Sequence, residues 1–105
     1  MIRHTILFKP KHNVPKPEVE DVFSKVLDLA EALSGILTIT GGTCYFDDKK
    51  SDLFSHGFSI DFEDSEALLR FSQHPLTHTV KKQIAELSEG GSQGVMEFDF
   101  GRSKH

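Results

Sequence analysis

Residues 54–62, Phe-Ser-His-Gly-Phe-Ser-Ile-Asp-Phe, alternate without a break. Phe54, His56, Phe58, Ile60 and Phe62 fall on one side of an extended chain, and Ser55, Gly57, Ser59 and Asp61 on the other. Successive side chains of a strand point to opposite faces, so this run predicts a strand with one apolar face. Residues 2–9 show a similar period: Ile2, His4, Ile6 and Phe8 share one face, and Arg3, Thr5, Leu7 and Lys9 the other. Each of these strands carries a histidine on its apolar side, at His4 and His56.

The segments between the strands change period. Pro10, Pro15 and Pro17 make residues 9–17 a loop, and Pro17 suits the first turn of a helix. Glu18, Glu20 and Asp21 favour the positive end of that helix. Val19, Val22, Phe23, Val26, Ala30 and Leu33 then recur at helical spacing, with Leu27 and Leu29 flanking the stripe. Ser34-Gly35 predicts its end. Residues 36–45 read as a second strand, in which Gly41-Gly42 predicts a bulge or bend. Residues 47–52 read as a polar turn. After the third strand, Asp64 is placed to cap a helix over 65–72 that buries Leu68 and Phe71. Pro75 restarts a helix with the inner stripe Leu76, Val80, Ile84 and Leu87. A flexible stretch, 90–94, leads to a last strand over 95–100.

The resulting order, β-α-β-β-α-β with the second helical region broken at His74-Pro75, is the split-βαβ, ferredoxin-like arrangement. It predicts an α+β domain with a four-stranded antiparallel sheet and helices on one face. The chain has 105 residues, which suits one domain spanning 1–105. A 37% hydrophobic and 27% charged composition argues against wholesale disorder. The net charge of −4, with basic residues scattered, argues against a nucleic-acid surface. Cys44 is the only cysteine, which excludes an internal disulfide and points to a reducing compartment. No apolar run approaches the ~20 residues needed to span a bilayer, and the N-terminal residues lack a signal-peptide pattern. A soluble, cytoplasmic protein is the expectation.

Five short motifs in order, Ile2-Arg-His4, Ser55-His56-Gly-Phe58, Phe62-Glu-Asp64, His74-Pro75 and Glu97-Phe-Asp99, resemble the stress-responsive dimeric A/B-barrel (Dabb) domain family. The resemblance spans nearly the whole chain. It implies ferredoxin-like protomers whose sheets pack into a barrel across a two-fold axis, and for most members no established reaction. One plant branch, similar to olivetolic acid cyclase, carries out an aldol-type polyketide condensation without a cofactor. Against that branch, His4 and His56 stand at the positions of pocket histidines, and Phe71 at that of a pocket tyrosine. Thr77 stands where the cyclase has its catalytic histidine, with His78 one place later. Asp99 matches the acid that supports that histidine.

These residues define the candidate site. His4 and His56 are candidate catalytic bases, expected to lie near one another under the helices. Burial would keep an imidazole there neutral. The competing reading makes both of them core histidines with satisfied hydrogen bonds. Ile6, Phe8, Phe23, Phe58, Phe71 and Asp99 are the candidate ligand pocket. Although His74 and His78 are four apart, Pro75 drives the residue before it out of helical conformation. His74 is therefore expected to start the helix, its ring bonding a nearby backbone group. With too few ligands at recognisable spacing, no metal site is expected, and neither reading requires a cofactor. Cys44 is expected to be buried and inert.

Two functions remain open. One is a non-catalytic, homodimeric stress-response or ligand-binding domain. The other is a cofactor-independent enzyme, akin to a polyketide cyclase or aldol-type lyase, acting on a small apolar carbonyl compound. A homodimer is expected to close sheet against sheet. Arg3, Thr5, Lys9, Ser59, Asp61 and Glu97 are assigned to that face, so the expected interface is partly wet.

Overall fold

The periodic runs at 2–8 and 56–62 become the two central strands of one sheet. The structure is a computed structural model and describes residues 1–44 and 53–101. Its elements are β1 (Ile2–Phe8), α1 (Lys16–Ala32), β2 (Ile36–Thr43), β3 (His56–Phe62), α2 (Ser65–Gln73), α3 (Pro75–Leu87) and β4 (Met96–Gly101). The sheet order is β2-β3-β1-β4, and all neighbours are antiparallel. This is the ferredoxin-like α+β arrangement. The end of the second strand at Tyr45 and the polar turn at 47–52 lie outside the described residues.

Ile6, Phe8, Phe58, Ile60 and Phe62 form the floor of the core. Val22, Val26 and Leu29 of α1, Ala67 and Phe71 of α2, and Val80, Ile84 and Leu87 of α3 close over it. Complete burial of such side chains contributes about 1.5–3 kcal/mol each, so this layer dominates stability. Leu29 belongs inside the α1 stripe and is fully buried, whereas Leu27 faces solvent. On α3 the buried stripe begins at Thr77 rather than Leu76, which is only half-buried. On α2 it is Ala67 that joins Phe71, with Leu68 half-buried.

Local signals explain the helix boundaries. The Asp64 carboxylate accepts from the Ala67 N–H at 2.9 Å and caps α2. His74 is extended (φ −72°, ψ 133°), and its Nδ1 accepts from the Leu76 N–H at 3.0 Å. It therefore caps α3, as the proline after it requires. Past the end of α1, Gly35 adopts φ +88°, and a Cβ there would come within 2.6 Å of the Ala67 Cβ.

Gly41 and Gly42 do not form the expected bulge. Both pair in register, with Phe58 and Gly57, and the irregularity falls between Ile36 and Thr38. Gly41 serves packing instead: a Cβ there would sit 2.9 Å from Phe23 Cε1 and 3.0 Å from Phe58 Cβ. Residues 91–94, expected to be flexible, form a short 3-10 turn.

The open face of the sheet also differs from expectation. β4 pairs His4 with Asp99 and Ile6 with Glu97, so both acids lie on the helix side. Met96, Phe98 and Phe100 pair with Leu7, Thr5 and Arg3 on the open side. They are 48%, 61% and 39% exposed. Arg3 and Asp61 do lie on the open face, joined by two hydrogen bonds of 2.7 and 2.9 Å, and Thr38 donates to the same carboxylate. Thr5 and Ser59 share a hydroxyl contact of 2.9 Å. This face is thus a polar centre beside an apolar edge, with Glu97 absent from it.

Candidate functional site

His4 and His56 both face the helices, but the register keeps them apart. His4 pairs with Ile60, while His56 pairs with Phe8. That is four positions along β1, about 13 Å at the rise of a strand. The expected close pair is therefore two separate sites.

The His56 site lies under the first half of α1. The ring stacks on Phe8 with centroids 5.8 Å apart, and its Nδ1 meets the Ser55 hydroxyl at 2.8 Å. Burial holds its pKa below the ordinary histidine value, favouring a neutral imidazole near pH 7. His56 lines a cavity of about 460 Å³ walled by Pro10, Val14, Val19, Phe23, Gly42 and Thr43, with Lys16 and Glu20 also contributing. Phe23 is half-buried and meets Phe8 and Phe58 with centroids 6.3 and 6.2 Å away. Gly41 makes that possible by leaving room for the Phe23 ring. A larger hollow of about 640 Å³ lies mainly over the open face, where Thr5, Leu7, Gly57 and Ser59 line it.

The His4 site lies between β1, β4 and the last two helices. The ring is 3% exposed and tilts against Phe71 at 5.5 Å. Its Nδ1 bonds Asp99, and because a carboxylate only accepts, Nδ1 is the donor. Glu97 Oε1 stands 3.5 Å from Nε2 and pairs with Lys81 Nζ at 2.9 Å. Nε2 is buried without a hydrogen-bond partner, as is the Thr77 hydroxyl on the inner side of α3. Thr77 therefore does occupy the core-facing position of α3, and His78 is exposed.

Of the candidate pocket residues, Ile6, Phe8, Phe58 and Phe71 are packed core side chains. Phe23 lines the His56 cavity, and Asp99 holds His4. Sequence reasoning missed Glu97, Lys81, Val14 and Val19 as site residues. The signal for Glu97 was the alternation of β4 itself: turning Phe98 outward turns both acids inward. Cys44 corrects its expectation, since it is exposed at the end of β2. Among the described residues, no three His, Cys, Asp or Glu side chains gather as a metal set. No helix among them is long and apolar enough to cross a membrane.

A ferredoxin-like sheet bearing two separated, helix-facing histidines defines the class. Within it, residues 2–101 match the stress responsive A/B barrel domain, and the chain belongs to that family. Comparison with curated protein sequences finds no significant match. Among solved structures, a dimeric ferredoxin-like protein of unknown function from Jannaschia sp. CCS1 superposes with a TM-score of 0.86. It is 20% identical, covering 96% of this chain and 98% of that one. A hydroxynitrile lyase from Passiflora edulis superposes at 0.83 with 14% identity, covering 99% and 94%. A cofactor-independent oxygenase from Streptomyces nogalater superposes at 0.72 with 15% identity, covering 99% and 94%. Proteins with a lyase or an oxygenase activity thus share this fold, and the fold alone assigns no reaction.

Proposed function

We propose that the protein is a cytoplasmic, homodimeric, single-domain binder of a small, largely apolar ligand held in the cavity under α1. One observation carries this reading: a cavity of about 460 Å³ with mostly apolar walls presents a neutral imidazole, His56, to its contents. Ligand sites commonly combine apolar walls with a few placed polar groups. A carbonyl or hydroxyl compound suits it, because a neutral ring offers one donor and one acceptor and Ser55 engages Nδ1. The homodimer is supported by the apolar edge formed by Met96, Phe98 and Phe100 on an uncovered sheet face, and by neighbours described as dimeric. The lone cysteine supports a reducing compartment.

The test is a thermal-shift screen of small ketones, aldehydes and phenols, repeated on His56→Ala. Binding to the parent, lost in His56→Ala with the fold retained, supports the reading. A variant that melts much earlier, with no ligand found for the parent, refutes it.

A second reading has its own observation. Asp99 fixes the His4 ring through Nδ1, leaving a buried Nε2 without a partner. An acid orienting a histidine whose other nitrogen makes no hydrogen bond is the arrangement of a general base, here reached by a substrate only when Glu97, 3.5 Å from Nε2, moves aside. Cofactor-independent proton abstraction from a small carbonyl compound would use His4 in this way. Turnover abolished by Asp99→Ala, and partly kept by Asp99→Asn, would favour it over simple binding.

A further inference from the structure

The neighbours that enclose His4 are not equally fixed. Asp99 bonds Nδ1, Phe71 tilts against the ring at 5.5 Å, and Glu97 Oε1 lies 3.5 Å from Nε2. Phe71 is a buried core residue and cannot move without disturbing α2. Glu97 is different: its side chain is 42% exposed and stands on the edge strand β4. It therefore lies between a buried nitrogen and the solvent.

The same oxygen meets Lys81 Nζ at 2.9 Å, and that lysine is anchored on α3 with its ammonium 6.0 Å from the Phe71 ring centroid. What holds Glu97 in place depends on the charge of the His4 ring. A protonated ring attracts the carboxylate itself. In a neutral ring the one N–H is given to Asp99, Nε2 carries a lone pair, and an oxygen that only accepts gains nothing from it. Lys81 then supplies the attraction that keeps Glu97 over Nε2. Both partners are partly exposed, at 35% and 42%, and a groove of about 260 Å³ beside them leaves room for them to part. An ion pair of this kind shifts an equilibrium by up to about fivefold.

We propose that Glu97 is a movable latch over His4 Nε2, and that Lys81 holds it shut when the ring is neutral. The latch deepens the reading of His4 as a base and depends on that reading for its purpose. Access to Nε2, however, is measurable without any turnover, so failure of the latch and failure of the catalytic reading are told apart. Salt, which screens the ion pair, loosens the latch.

Carbethoxylation by diethyl pyrocarbonate, followed at each histidine by mass spectrometry, tests the proposal. Rates are compared at their high-pH plateau, where the rings are neutral in every variant and only access differs. His4 should react at least about fivefold faster in Glu97→Ala than in the parent, and about twofold to fivefold faster in Lys81→Met. Sodium chloride at about 0.5 M should speed the parent about twofold and leave Lys81→Met unchanged. His56 should keep its parental rate throughout, which marks the fold as intact. If Glu97→Ala loosens the whole fold, His56 speeds up with His4, and Lys81→Met decides. An unchanged His4 rate in an intact Glu97→Ala or in Lys81→Met would overturn the proposal, as would a salt effect that survives in Lys81→Met.

Discussion

Asp99→Ala tests whether the His4 pairing contributes to stability as the geometry requires. The His4 ring is 3% exposed, and Asp99 is the acceptor for its Nδ1–H. Removing that acceptor leaves a buried donor unpaired, which costs about 1–3 kcal/mol. The Asp99 side chain is 50% exposed, so water partly enters the space it vacates. The expected loss is therefore about 1–2 kcal/mol. For a domain of this size that lowers Tm by about 5–10 °C. Asp99→Asn keeps an acceptor without the charge and should lose about half as much. Urea unfolding, at one fixed protomer concentration because association adds to apparent stability, measures both. An Asp99→Ala protein within about 0.5 kcal/mol of the parent would refute the argument, as would an Asn variant as unstable as the Ala one.

Three further outcomes are expected. Phe98→Asp places a charge on the apolar edge of the open face, and light scattering should show it as a monomer at concentrations where the proposed dimer of the parent forms; a parent that is itself monomeric there would refute the proposed dimer. Gly41→Ala forces a methyl group to within 2.9 Å of the Phe23 ring and should cost about 1–3 kcal/mol of unfolding free energy; an unchanged value would mean that Phe23 moves freely. Chelation with an excess of EDTA should leave Tm unchanged, and a large fall reversed by zinc would show that a metal supports the fold.

What the sequence revealed and what it hid follow from period and register. Alternation at residues 2–8 and 56–62 assigns faces to side chains, and those faces hold in the structure: His4, Phe8, His56 and Phe58 all look toward the helices. The proline after His74 predicts both the break between α2 and α3 and the ring's capping role, because both are local effects. Period says nothing about which residue lies opposite which. The separation of His4 from His56 is a property of register, and two strands of suitable pattern are compatible with several registers. The edge strand was harder still. Apolar residues usually mark the buried face, but β4 exposes Met96, Phe98 and Phe100 and turns Glu97 and Asp99 to the helices. Those acids serve His4, on the neighbouring strand, and Lys81, on α3, and no short periodic window contains either contact. Gly41 likewise reads as a strand interruption, when its role is to admit a ring from α1.

The cavity under α1 is proposed to hold a ligand against His56. The most direct measurement is isotope-edited NMR on the complex with whichever compound the thermal-shift screen returns. Proton contacts from the ligand to the Val14 and Val19 methyls, the Phe23 ring and the His56 ring are the predicted result. Contacts confined to Thr5, Leu7 and Ser59 on the open face, with none to α1, would contradict it.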